Sequence, residues 1–201
     1  MRTENAELMR MARESLKGRW GLAIGTMVVY LILSILLQII PFIGPLAAII
    51  ISGPIALGLA IFSLAFSRNK DAKLDQLFQG FNNFGTALGA SLLMTIYIIL
   101  WMLLLIIPGI IAGLSYSMTF YIIADDENIG SSDALKKSKA MMDGYKWKYF
   151  CLGFRFLGWA LLCCLTLGIG FLWLAPYMQI TCAKFYDDVK ENYIANNGEL
   201  A

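Results

Sequence analysis

The chain has 201 residues, 59% of them hydrophobic and 15% charged, with a net charge of +2 and a mean hydropathy of +0.67. Soluble domains are about 45–50% apolar and about 25% charged, and a water-soluble fold of this length still exposes roughly a quarter of its unfolded surface. That composition excludes an ordinary soluble domain, and lipid is the expected solvent for most of the chain.

The amino-terminal segment is basic (Arg2, Arg10, Arg13, Lys17, Arg19). Within it Leu8, Ala12 and Leu16 recur every four residues, which places them on one helical face. The segment stops at Gly18, a residue that accepts the left-handed conformation ending a helix. Trp20 follows, where an aromatic ring suits a membrane interface. The same phrase returns twice. Leu74, Leu77, Phe78 and Phe81 precede or flank Gly80, with Phe84 after it. Leu135, Ser138 and Met142 lead to Gly144, with Trp147 after it. The spacing is steady at 62 residues from Gly18 to Gly80 and 64 from Gly80 to Gly144.

Apolar runs follow each phrase in pairs: Trp20–Ile40 and Pro45–Phe66, Phe84–Ile107 and Gly109–Ala124, Tyr149–Leu167 and Phe171–Phe185. About 20 apolar residues cross a bilayer core of about 30 Å, so six transmembrane helices are expected. The first run is too long for a signal-peptide core and no small-residue cleavage site follows it, so it reads as an uncleaved helix. Pro54 and Pro176 fall inside even-numbered runs and are expected to kink them or free a carbonyl. Pro45 and Pro108 start their helices. "GLAIG", "GTALG" and "GIIAG" offer G-x-x-x-G spacings for close helix packing inside the bundle. The expected fold is an all-α polytopic membrane bundle of three tandem units, each an amphipathic helix plus a hairpin, over about 4–66, 70–125 and 131–190. Parallel units of this kind share an axis along the membrane normal.

Charge sets the orientation. The turns "PFIGP", "IPG" and "TLGIG" carry none, whereas 15 of the 16 basic residues and all 14 acidic ones lie in the other connections and the termini. The positive-inside rule makes that side cytoplasmic, both termini included. Arg155 is the exception, about 10 Å along the fifth run at 1.5 Å per residue, and a snorkelling side chain accounts for it. Lys136, Lys137, Lys139, Lys146, Lys148 and Arg155 are the candidate contacts to anionic lipid or to a membrane protein partner.

From "MMDGYKWKYF" and "GWALLCCLTLGIGFLWLAPYMQITCAKFYDD" the chain resembles a bacterial integral-membrane family known as domain of unknown function 975, and "FYIIADDENI" and the glycine–aromatic phrases at Trp20 and Phe84 agree. The resemblance implies a six-span bacterial inner-membrane protein without an assigned activity and carries over no catalytic residues. A fainter likeness is to the membrane-anchoring part of some glycerophosphodiester phosphodiesterases.

Chemistry-bearing patterns are few. The chain has no histidine, so a Cys/His zinc site is excluded, and Cys151, Cys163, Cys164 and Cys182 read as packing residues. Asp125, Asp126 and Glu127 form the densest acidic site; they offer a divalent cation oxygen ligands but read as a solvated helix end, as do Asp187 and Asp188. No cofactor, metal or nucleic acid is expected, and an intramembrane enzyme is the third reading. Ser34, Ser91, Thr95, Tyr97, Ser115, Ser117, Thr119, Gln179 and Thr181 lie at membrane depth, where they line a solute path or bond neighbouring helices. Three parallel hairpins resemble mitochondrial carriers in outline, although the Pro-x-Asp/Glu-x-x-Lys/Arg signature is missing. The leading reading is a non-enzymatic accessory or scaffold working through lipid or protein partners, and the rival is a small-solute transporter or channel.

Overall fold

The computed structural model describes residues 3–39, 43–166 and 168–197, and among them there are helices, turns and no strand. The helices are α1 (Asn5–Leu16), α2 (Trp20–Ile39), α3 (Ile43–Ser67), α4 (Gln76–Gln79), α5 (Phe84–Leu104), α6 (Ile106–Tyr116), α7 (Thr119–Asp125), α8 (Ser131–Met141), α9 (Lys146–Leu165) and α10 (Phe171–Asn197). Arg2, residues 40–42 of the first outer turn and Leu167 of the third lie outside the described residues.

The described residues of the six apolar runs are mostly helical, with breaks at Leu105 and at Ser117–Met118. By length and apolarity four segments are able to cross a membrane: Ala47–Ser67, Phe84–Leu104, Ile106–Asp125 and Lys146–Leu165. A fifth is added if Asn5–Leu16 and Trp20–Leu36, bent by 98° at Gly18, count as one. α10 falls short because its apolar stretch ends at Lys184, with Asp187, Asp188 and Lys190 close behind.

The amphipathic segments pack as their spacing predicts in two cases of three. α1 buries Leu8, Ala12 and Leu16, and α8 with its cap buries Leu135, Ser138 and Met142. Ser138, the polar break in that face, has a partner: its hydroxyl donates to the Ser115 carbonyl (2.8 Å) and accepts from the Met118 N–H (3.3 Å), across the break between α6 and α7. The second segment departs from expectation. It is a single helical turn, with Leu77 inside while Phe78 and Phe81 face outward.

Gly18 (φ 81°) and Gly144 (φ 74°) do adopt the left-handed conformation. Gly80 does not: its φ is −59°. Space is the reason for glycine there, since an added Cβ would overlap the Pro54 carbonyl oxygen, and one at Gly58 would overlap the Leu77 carbonyl. α3 and α4 therefore touch backbone to backbone. The G-x-x-x-G glycines divide: a Cβ at Gly89 would overlap the Ser131 hydroxyl on α8 and one at Gly109 would overlap Met102 on α5. A Cβ at Gly21, Gly25, Gly85 or Gly113 would meet nothing within 4 Å. Pro54 and Pro176 lie inside α3 and α10, and both are buried. Of the three expected anchors, Trp20 is half-buried while Phe84 and Trp147 are exposed.

Each amphipathic helix lies on a hairpin from another part of the chain. α4 lies on α3 through the glycine contacts. α8 lies on α5–α6, where the Ser131 hydroxyl donates to the Thr86 carbonyl (3.0 Å). α1 lies on α10, where the Tyr177 hydroxyl donates to the Met9 carbonyl (3.2 Å). The first element thus closes on the last. The best-buried side chains, among them Phe62, Phe66, Ile122, Phe185 and Tyr186, cluster at this end of the molecule. The opposite ends of α5, α6 and α9 are exposed and apolar.

Candidate functional site

Three returning helices end at the charged face, and each delivers an ionic residue to one place. α3 is followed by Arg68, α7 ends in Asp125, and α10 carries Asp187. The Arg68 guanidinium donates to both oxygens of Asp125 (2.7 and 2.9 Å) and, through Nε and Nη2, to Asp187 Oδ1 (3.0 and 2.7 Å). Planar five-donor geometry is what lets one arginine hold two carboxylates. Asp125 also accepts from Lys190 (2.8 Å) and the Tyr186 hydroxyl (2.9 Å), and Asp187 accepts from Ser67 (2.9 Å). Lys184 donates to the Ser67 carbonyl. Hydrogen bonding to Asp125 raises the Arg68 pKa above its ordinary value, against the lowering effect of burial. Burial, with Asp125 alongside, raises that of the Tyr186 phenol, which stays protonated and able to donate.

A second pair lies beside this cluster. Lys148 donates to Asp188 (2.7 Å), whose other oxygen accepts from Thr3. Asp188 is 8% exposed. A cleft of about 480 Å³ opens over both groups, lined by Thr3, Leu8, Ser67, Lys184, Asp187 and Glu191 among others.

These contacts correct the sequence reading of the acids. Asp125, Asp187 and Asp188 are paired, partly buried joints between distant helices, whereas Asp126 and Glu127 remain exposed. Among the described residues no group of three or more Asp, Glu, Cys or His is arranged to hold a metal ion.

The candidate lipid contacts divide. Lys148 is committed to Asp188, and Lys137 is half-buried on α8. Lys136 and Lys139 are exposed and line a cleft of about 330 Å³ with Tyr97, Trp101 and Tyr116. Lys139 and Lys146 line an adjoining cleft of about 160 Å³ with Trp101, Pro108 and Ile111. Lys136 is paired with Asp133 (3.0 Å) and Lys146 loosely with Asp143 (4.0 Å), both as neighbours on the surface. Arg155 is exposed on α9. A third cleft, of about 280 Å³, brings Arg13 together with Trp20, Trp159, Trp173 and Tyr177. Four cations beside aromatic walls suit an anionic amphiphile, with charge meeting headgroup and rings meeting chain.

Most hydroxyls at membrane depth turn back on the local backbone, while Tyr121 and Tyr149 bond across helices, to Gln179 and to Cys182. Ser34, Ser91, Thr95, Ser115 and Thr181 each donate to a carbonyl three or four residues earlier in their own helix, and Ser117 and Thr119, at the break between α6 and α7, donate back to Leu114 and Tyr116. Tyr97 packs on Tyr116.

The family described as Protein of unknown function (DUF975) matches residues 1–108 and 102–193, so the chain belongs to it. No curated protein and no solved structure matches, which leaves the likeness to phosphodiesterase membrane domains without support.

Proposed function

We propose that the chain is a non-enzymatic accessory or scaffold of the bacterial inner membrane, acting through anionic lipid or a membrane protein partner. In this reading it consists of three tandem units whose six apolar segments enter the bilayer from the cytoplasmic face, where both termini lie. The cyclic packing of α1, α4 and α8 on hairpins of other units supports a threefold arrangement. So does the meeting of Arg68, Asp125 and Asp187, one from the end of each hairpin.

The observation that carries the reading is the inward turn of the hydroxyls. A solute path needs polar groups from several helices facing one wet interior. Here Ser34, Ser91, Thr95, Ser115 and Thr181 bond carbonyls of their own helices, which is the ordinary behaviour of Ser and Thr in lipid. The accessible charge and aromatic surface lies instead at the sides, at Lys136, Lys139 and Lys146. The charged cleft over Arg68 is the feature a transporter would use as its mouth, but Arg68, Asp187, Asp188 and Lys190 in its lining are held in ion pairs.

Flux decides between the two. Purified protein in phosphatidylethanolamine–phosphatidylglycerol vesicles is expected to leave permeability to amino acids, sugars and small ions at the protein-free level. Saturable uptake of any such solute would replace the scaffold with a carrier.

A further inference from the structure

The turns of the second and third hairpins are among the most exposed apolar parts of the molecule. Leu103 is 86% exposed, Ile107 71% and Leu165 81%. No charged residue occurs between Phe84 and Ala124, or between Phe156 and Ala183. If these turns emerged in water on the far side, a contiguous patch of bare leucine and isoleucine would face solvent.

The described backbone groups of both turns are already equipped for hydrocarbon. Leu105 alone joins α5 to α6; its N–H bonds the Trp101 carbonyl (3.0 Å), and its carbonyl accepts from Gly109 (3.3 Å). In the third hairpin the N–H groups of Thr166 and Gly168 both bond the Cys163 carbonyl (3.1 Å), and Ile169 bonds Thr166 (3.2 Å). The Thr166 hydroxyl donates to Cys163 (2.8 Å) and accepts from Gly170 (3.1 Å). Irregular backbone is tolerated at membrane depth only when its polar groups are paired in this way.

Cations stand close to both turns. Lys139 and Lys146 share a small cleft with Pro108, three residues past Leu105. Arg13 shares one with Cys163 and Gly170. Arg155, exposed on α9, precedes Leu165 by about 15 Å of helix. A hairpin crossing the whole core of about 30 Å would carry these cations to the far headgroups or strand them in between. A hairpin of half that depth keeps them at the near headgroups.

We propose that the second and third hairpins are re-entrant: they enter the near leaflet of an anionic phospholipid membrane from the charged face and end within its hydrocarbon. Arg13, Lys139, Lys146 and Arg155 then form a collar at the headgroup phosphates. The proposal rests on the membrane reading above and deepens it by naming the lipid surface that covers the exposed tips. It also unites features that crossing helices leave separate: uncharged turns, internally bonded turn backbones and cations near the tips.

The test places bimane on Leu105→Cys and, separately, on Ile169→Cys, in protein with Cys151, Cys163, Cys164 and Cys182 changed to alanine. Native Cys164, exposed near the third turn, gives the same reading in the unsubstituted chain should the cysteine-free protein fail to fold. Each labelled protein is reconstituted in phosphatidylethanolamine–phosphatidylglycerol vesicles and quenched with iodide from either side or with spin labels along the acyl chains. The expected result is loss of more than half the fluorescence to spin labels deep in the chains and none to iodide on either face. Iodide quenching from the face opposite the termini means a crossing hairpin; it overturns the proposal and leaves the membrane reading intact. Iodide quenching from the termini's own face, without quenching by the chains, overturns both.

Discussion

Arg68 at the end of α3 and Asp125 at the end of α7 are 57 residues apart in sequence and meet as a two-pronged ion pair at 2.7 and 2.9 Å. Lys190 and Tyr186 bond the same carboxylate from α10, so three separate hairpins are tied at one point. Removing one member of a fully buried pair costs about 3–5 kcal/mol. The Arg68 side chain keeps 28% of its surface exposed, so Asp125→Asn is expected to cost less, about 2–3 kcal/mol. Thermal unfolding in detergent reads this directly. An unchanged midpoint would mean that the cluster does not hold the hairpins together.

The glycines separate into tight and open positions. Gly80→Ala drives a methyl into the Pro54 carbonyl, and overpacking of that kind costs about 1–3 kcal/mol. Gly25→Ala meets nothing within 4 Å and exchanges a poor helix former for a good one, a gain of up to about 1 kcal/mol. The two alanines should therefore move the unfolding midpoint in opposite directions.

Ser138 bridges the break between α6 and α7 through both lone pair and proton. Ser138→Ala leaves the buried Met118 N–H without that acceptor, at a cost of about 1–3 kcal/mol. Thr95→Ala, at an exposed hydroxyl bonded within its own helix, should change stability by less than about 0.5 kcal/mol. Equal effects of the two substitutions would contradict the bridging role.

The lysines divide by environment. Changing Lys136, Lys139 and Lys146 together to glutamine is expected to remove most of the thermal stabilisation that phosphatidylglycerol gives the detergent-solubilised protein, each cation contributing about 1 kcal/mol near an anionic surface. Lys148→Gln should instead lower stability without lipid and keep the lipid response, because it strips Asp188 of its partner. A normal lipid response in the triple variant would remove these lysines from the interface.

Much of the architecture is legible in the sequence because it is local. Helical periodicity places Leu8, Ala12, Leu16, Leu135, Ser138 and Met142 inside, and left-handed glycines end α1 and α8 at Gly18 and Gly144. Gly80 shows the limit: its sequence context matches the other two, yet its role depends on Pro54 and Gly58 across a helix contact. The ion cluster was hidden for the same reason. Asp125 and Asp187 look like solvated helix ends because nothing local announces Arg68, which reaches them from 57 and 119 residues away. The G-x-x-x-G phrases are informative only in part: Gly89 and Gly109 face Ser131 and Met102 closely while Gly21, Gly25, Gly85 and Gly113 face open space, and spacing alone does not say which. The side clefts beside Trp101 and Trp20 depend on how hairpins lean and left no local pattern.

The most direct measurement is native mass spectrometry of the protein extracted gently from its own membrane. The account predicts a defined anionic lipid or a stoichiometric protein partner retained on the intact chain, with the lipid lost when Lys136, Lys139 and Lys146 are changed to glutamine. A bare monomer, together with saturable solute flux in vesicles, would contradict it.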